Sequence, residues 1–223
     1  MKNVLLYKRF LLFVIGLLIM SFGIVLMIVL MIVSNFGVSP WDVLHVGLYY
    51  QFGLSIGTWS ILIGFIVLGS SSLLMKRWPK YGAYLNMILV GLFIDMYMQI
   101  PFLIEPSHMT EKFIMFFIGM MINAYGMGIY LSAEMGAGPR DSFMLALQEK
   151  TGWKIATVRR LMEVIVLAFG WILGGPVFYG TIIFSLTVGT FIGFALPQCQ
   201  LLASKFLKIN DKLNQKVERS AEL

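Results

Sequence analysis

Two short stretches about a hundred residues apart hold the side chains best placed to do chemistry: Gly37-Val38-Ser39-Pro40-Trp41-Asp42 and Gly136-Ala137-Gly138-Pro139-Arg140-Asp141. In each, a residue able to cap a helix, Ser39 or Gly138, precedes proline at the first helical position, and an aspartate falls in the first turn. Ser39 with Asp42 is a capping box in which Asp replaces Glu or Gln. Gly53 and Gly152 stand where C-terminal caps belong, so the spacing predicts helices over 40–51 and 139–150. At about 1.5 Å per residue each is about 18 Å long, too short for a hydrocarbon core of about 30 Å. Two readings follow for such half-helices. They cap the ends of a helix bundle, or their N-termini, partly positive, point into a polar cavity and hold an anionic or polar group there. Asp42 and Asp141 argue against a simple anion site, because a carboxylate in the first turn already neutralises the helix end.

Asp95 falls near the centre of an apolar run, 81–104, and an acid there costs about 2.5–3.5 kcal/mol on insertion scales before it finds a partner. It either fixes packing through a hydrogen bond or ion pair, or it binds a proton or cation. An intramembrane acid is functional by default, which makes Asp95 the candidate coupling residue. Arg159 and Arg160 precede Glu163 by four and three residues, so either can pair with it on one helix face, and a ligand-binding cluster with Arg140 and Asp141 is the second option. Asn86 and Asn123 suit helix bridges better than ligand contacts. The candidate site is thus Asp95, Arg140, Asp141, Arg159, Arg160, Glu163, Asp42, Asn86 and Asn123, with Ser39, Pro40, Gly138 and Pro139 at the half-helix starts.

His45 and His108 lack metal spacing and Cys199 is the single cysteine, so no metal site, cofactor or disulfide is expected. With no nucleophile and base constellation, nucleotide loop or HExxH, no catalytic residue is assigned and the chain is read as not an enzyme. The 16 methionines are scattered without a repeated MxxM ladder, which suggests lipid-facing or loosely packed surface and not a metal relay.

The elements that must carry these residues are membrane helices. Of 223 residues 59% are hydrophobic and 13% charged, and mean hydropathy is +0.85, far from a soluble domain. Six apolar runs recur, at 10–34, 56–75, 81–104, 113–133, 155–173 and 177–196, the last closed by Pro197 and a charged tail that suits a solvated or interfacial helix. The first run is too long for a signal core and ends without a small-residue cleavage site, so it is retained as a span. With both termini in the cytoplasm, every basic residue of the 17 except Lys112 lies inside, as the positive-inside rule requires. The net charge of +6 is therefore an orientation signal and not a nucleic-acid surface.

Phe13, Gly16 and Gly23 match Phe116, Gly119 and Gly126, and Tyr81-Gly82 and Val90-Gly91 match Tyr179-Gly180 and Val188-Gly189. The expected fold is an all-α polytopic membrane protein, one membrane domain over 1–223. It holds two three-span repeats, about 8–104 and 112–198, each with a half-helix, and a cytoplasmic tail, 199–223. Three spans per repeat make the second copy inverted relative to the first, as in secondary transporters.

Gly138-Pro139-Arg140-Asp141, Thr151-Gly152, Val158-Arg159, Glu163, Gly170, Leu173-Gly174-Gly175 and Gly180-Thr181, together with Gly53, Gly57-Thr58, Asn86, Gly91 and Ile94-Asp95 in the first half, resemble the YczE/YyaS/YitT family of bacterial integral membrane proteins. The resemblance covers about 8–198 and departs at Phe178-Tyr179, where small residues are expected. It implies a multi-pass protein of the bacterial cell membrane and supplies no activity. The residues themselves favour a small transporter or permease with a polar site between the repeats, taking an unknown small molecule or ion. The alternative is an accessory or regulatory membrane protein working through membrane-protein partners or a homo-oligomer. A water-accessible cavity joining Asp95 to the half-helix starts distinguishes the first from the second.

Overall fold

A computed structural model of the chain describes residues 2–34, 37, 39–100, 108–153 and 155–207. Among them run eight helices: α1 (Lys2–Ser34), α2 (Pro40–Phe52), α3 (Ile56–Met75), α4 (Tyr81–Met98), α5 (Met109–Ser132), α6 (Pro139–Thr151), α7 (Ile155–Ile172) and α8 (Tyr179–Leu207). The half-helices begin where their caps are written. Ser39 is extended, its hydroxyl oxygen accepts from the Asp42 backbone N–H, and Pro40 opens α2. Gly138 is extended ahead of Pro139 in α6. Each helix runs one residue beyond the expected range and stops at a glycine with φ of 71°, a backbone geometry that side chains resist.

Five helices, α1 (through Leu6–Leu26), α3, α4, α5 and α8, are long and apolar enough to cross a membrane. The expectation of six spans fails that measure at α7, whose 18 residues include Arg159, Arg160 and Glu163. Two other boundaries move. α4 ends at Met98 instead of Ile104, while residues 101–107, with the expected polar link, lie outside the described residues. α8 passes through Pro197, where the sixth run was expected to stop, and continues to Leu207. Proline removes one backbone hydrogen bond and crowds the preceding turn. Beyond it Cys199, Ala203 and Leu207 are buried, so tertiary packing holds the helix past the defect. The remaining tail, 208–223, lies outside the described residues, as do Val38 and Lys154.

Small residues let the helices touch backbone to backbone, the packing mode that serves where lipid supplies no hydrophobic drive between helices. α1 and α5 lie antiparallel. A methyl group on Gly16 would overlap the Tyr130 backbone, and one on Gly126 the Met20 backbone. Phe13 and Phe116 are fully buried beside this seam, with Phe13 edge-on to Tyr130 at 6.0 Å. At one end Arg9 pairs with Glu134 at 2.9 Å and Lys8 donates to the Phe206 carbonyl at 3.3 Å, fastening the start of α1 to the ends of α5 and α8.

The half-helices pack crosswise: α2 lies on α7, and α6 lies on α3. A methyl on Gly170 of α7 would come within 2.7 Å of the Leu44 backbone nitrogen in α2. Gly37, ahead of α2, sits against Gly180 and Thr181 at the start of α8, and Gly136, ahead of α6, sits against Gly82 and Ala83 at the start of α4. Each motif thus nests against the helix start that opens the last apolar run of the other half.

Arg77 and Thr110 are exposed beyond opposite ends of α4. With Cys199 replaced, single cysteines at these positions are expected to label from opposite sides of the membrane. Labelling of both from one side would remove α4 as a span.

Candidate functional site

The two half-helices begin at one cavity of about 140 Å³, to which all eight helices contribute. Ser39, Pro40, Trp41 and Asp42 line it at the start of α2, and Gly138, Pro139, Arg140 and Asp141 at the start of α6. Arg159 and Glu163 enter from α7, Asn86 from α4, and Asn123 and Tyr130 from α5. Between these polar groups the wall is apolar, with Ile24, Ile63, Val90, Phe184 and Val188 among its residues.

Arg140 links the two helix starts. Its guanidinium carbon stacks 4.7 Å from the Trp41 ring centroid, and Nη2 lies 4.0 Å from Asp42 Oδ1, a charge contact longer than a hydrogen bond. The Asp42 side chain is 2% exposed. The Ser39 hydroxyl donates to its Oδ2, so the capping box is closed through side chains as well as through the backbone. One turn on, His45 Nδ1 lies 3.8 Å from Asp42 Oδ1, again too far for a hydrogen bond. At the start of α6 Tyr130 donates its hydroxyl to Asp141 Oδ2 at 3.2 Å. Arg159 Nε donates to Glu163 Oε1 at 3.3 Å along α7.

Gly138 holds the capping position without a side chain because Asn86 occupies the space. A methyl there would stand 2.8 Å from Asn86 Oδ1. Asp42 Oδ1, His45 Nδ1 and Asn86 Nδ2 are buried and have no hydrogen-bond partner among the described residues. A buried polar atom left so costs about 1–3 kcal/mol, and three at one cavity mark a place prepared for something polar to enter.

Most of the sequence-derived candidates converge here: Asp42, Asn86, Asn123, Arg140, Asp141, Arg159 and Glu163, with Ser39, Pro40, Gly138 and Pro139. Asn123 bridges helices, as expected, with Nδ2 3.5 Å from the Met20 carbonyl. Two candidates lie elsewhere. Because α4 stops at Met98, Asp95 sits near its end and not at the centre of a span. Its carboxylate accepts from the Gly57 backbone N–H at 2.8 Å and from the Ser55 hydroxyl, which caps α3 and ties it to α4. The cavity therefore joins the half-helix starts to each other and does not reach Asp95, so the expected cavity joining Asp95 to those starts is not found and Asp95 is withdrawn as the coupling candidate. Arg160, one residue round the helix from Arg159, is on the exposed face of α7.

Trp41, His45 and Tyr130 line the cavity and escaped the sequence reading. His45 carried a usable signal, being three residues after Asp42 and so on the same helix face. Tyr130 carried none. The methionines also need correction. Met20, Met87, Met127, Met144 and Met162 line the cavity instead of facing lipid, where their flexible thioethers fill an irregular wall. A cavity with both charge signs, aromatic faces and an adaptable apolar wall has the make-up of a site for a small polar or charged solute.

The model of a family of unknown function, DUF6198, matches residues 7–197. The chain is 45% identical to the "Uncharacterized membrane protein YczE" of Bacillus subtilis across 82% of its own length and 83% of the relative's. It is 33% identical to an uncharacterized protein of Haemophilus influenzae over 75% of both chains. Identity to the "Uncharacterized protein YyaS" of Bacillus subtilis is 30% over 82% of this chain and 90% of the relative. No solved structure matches. With five helices able to cross a bilayer and these relatives along most of its length, the chain is a multi-pass membrane protein and belongs to the YczE/YyaS family, matched by DUF6198.

Proposed function

We propose that the protein is a small carrier, not an enzyme, whose solute site is the cavity between α2 and α6. The observation that supports this best is the meeting of two half-helix starts at a common cavity, with Arg140 of one 4.0 Å from Asp42 of the other. Broken helices whose ends meet at a polar centre are how membrane carriers expose backbone and charge to a solute without exposing them to lipid.

The reading includes an inverted repeat of two three-helix units. Crosswise packing of α2 on α7 and α6 on α3 supports it, as do the matching nests of Gly37 and Gly136 and the paired burial of Phe13 and Phe116. In that arrangement α7 is the sixth crossing, its charges tolerated because Arg159 and Glu163 face the cavity. The distribution of Lys and Arg supports a cytoplasmic position for both termini. Rocking of one unit against the other then opens the cavity to each side in turn.

The first test is a metabolite screen by ligand-induced thermal shift on purified protein, followed by proteoliposome uptake of any hit. Asp42→Asn is expected to abolish the ligand-induced shift. Asp95→Asn is expected to keep it and to lower basal stability by about 1 kcal/mol, the worth of a charged hydrogen bond at a partly exposed cap. A screen without a ligand but with a co-purifying membrane protein would replace the carrier reading with that of an accessory protein.

Glu163→Gln tests the electrostatics of the wall. It leaves Arg159, 39% exposed, beside a neutral partner. A fall in stability of about 1–2 kcal/mol is expected, less than for a fully buried pair because solvent reaches the arginine. Unchanged thermal stability in detergent would show that the pair carries no structural weight.

A further inference from the structure

The charged groups lining the cavity are three carboxylates, Asp42, Asp141 and Glu163, and two guanidiniums, Arg140 and Arg159. Asp141 has the Tyr130 hydroxyl, and Glu163 has Arg159. Among the three, Asp42 is the carboxylate with an oxygen that is fully buried and lacks a hydrogen bond among the described residues, and 3.8 Å away stands a buried imidazole nitrogen in the same condition. Both side chains are 2% exposed, so bulk water does not satisfy them. Arg140 at 4.0 Å supplies charge without a hydrogen bond. Asn86, the third unpartnered group, supplies only donors from its Nδ2.

We propose that Asp42 and His45 form a proton-binding site that takes up and releases one proton at the start of α2. One added proton balances the excess carboxylate, three against two guanidiniums. On deprotonation Arg140, held in place by the Trp41 ring, remains to face the bare carboxylate. Arg140 approaches the pair most closely, at 4.0 Å from Asp42, and the other titratable groups lining the same cavity are Asp141 from α6, Arg159 and Glu163 from α7 and Tyr130 from α5. No comparable pair exists at the α6 start, where Met144 stands three residues beyond Asp141 as His45 does beyond Asp42. The site therefore belongs to one half of the chain. Coupling of this proton to a carried solute rests on the carrier reading; the proton site itself does not.

Histidine-selective NMR on the full chain in lipid nanodiscs reads the pair directly. The sequence holds two histidines, so His108→Gln leaves His45 as the single source of signal. Across about pH 3 to 8, where carboxylates and imidazoles titrate, one transition is expected at His45. Its midpoint should move in Asp42→Asn and in Ser39→Ala, which removes the hydroxyl that donates to the same carboxylate. Ser39→Ala guards against misfolding of the first variant, since α6 begins at Gly138 with no side-chain cap. A His45 signal that ignores pH, a transition unchanged in both variants, or a shift driven by sodium at fixed pH would each overturn the proposal. No solute is needed, so a titrating pair in a protein that binds nothing in the screen would sink the carrier reading alone, and the reverse result the proton site alone.

Discussion

Opening two helices into one cavity inside an apolar bundle requires each N-terminus to find compensation for its free backbone N–H groups and its partial positive charge. In this protein the compensation is carried by the chain itself, with Asp42 in the first turn of α2 and Asp141 in the first turn of α6. Those carboxylates then need partners of their own. Ser39 and Arg140 answer the first, and Tyr130 answers the second. The rest of the polar centre follows from this requirement, and the surrounding helices are shaped to leave it room.

That room depends on close packing elsewhere. Glycine at 16, 23 and 126 lets α1 and α5 meet at backbone distance, and Gly57 and Gly91 do the same for α3 and α4. Gly170 and Gly175 admit α2 against α7. Without a hydrophobic drive between helices in lipid, such contacts supply the dispersion energy that holds a bundle around a cavity. The two ends of α4 show how the remaining polar atoms are used. Asn86 approaches Gly138 near one end, while at the other Asp95 takes the Gly57 N–H in the first turn of α3. An acid that looks costly from its sequence neighbours is thus accommodated as a helix cap.

The positions of the half-helices were legible in the sequence because their boundaries are local. Ser39, Pro40, Gly53, Gly138, Pro139 and Gly152 act through dihedral preference and hydrogen bonds within a few residues, and the structure agrees within one residue. The charged members of the cavity were legible for a related reason. In a chain so apolar, Asp42, Arg140, Asp141, Arg159 and Glu163 cannot face lipid cheaply.

The sequence alone determined five of the six expected apolar spans, the half-helix starts and most of the polar residues that share the interior. Tertiary structure decided which of them share a cavity, because that depends on where helices end and which face each presents. Asp95 was lost to the site when α4 stopped at Met98, and Arg160 when α7 turned that residue outward. Tyr130 and the five methionines were gained from helix faces that composition cannot orient. Crosswise packing of α2 on α7 and α6 on α3 brought Arg140 to Asp42 across 98 positions of sequence, a contact no local pattern encodes because its geometry comes from the other helices between them.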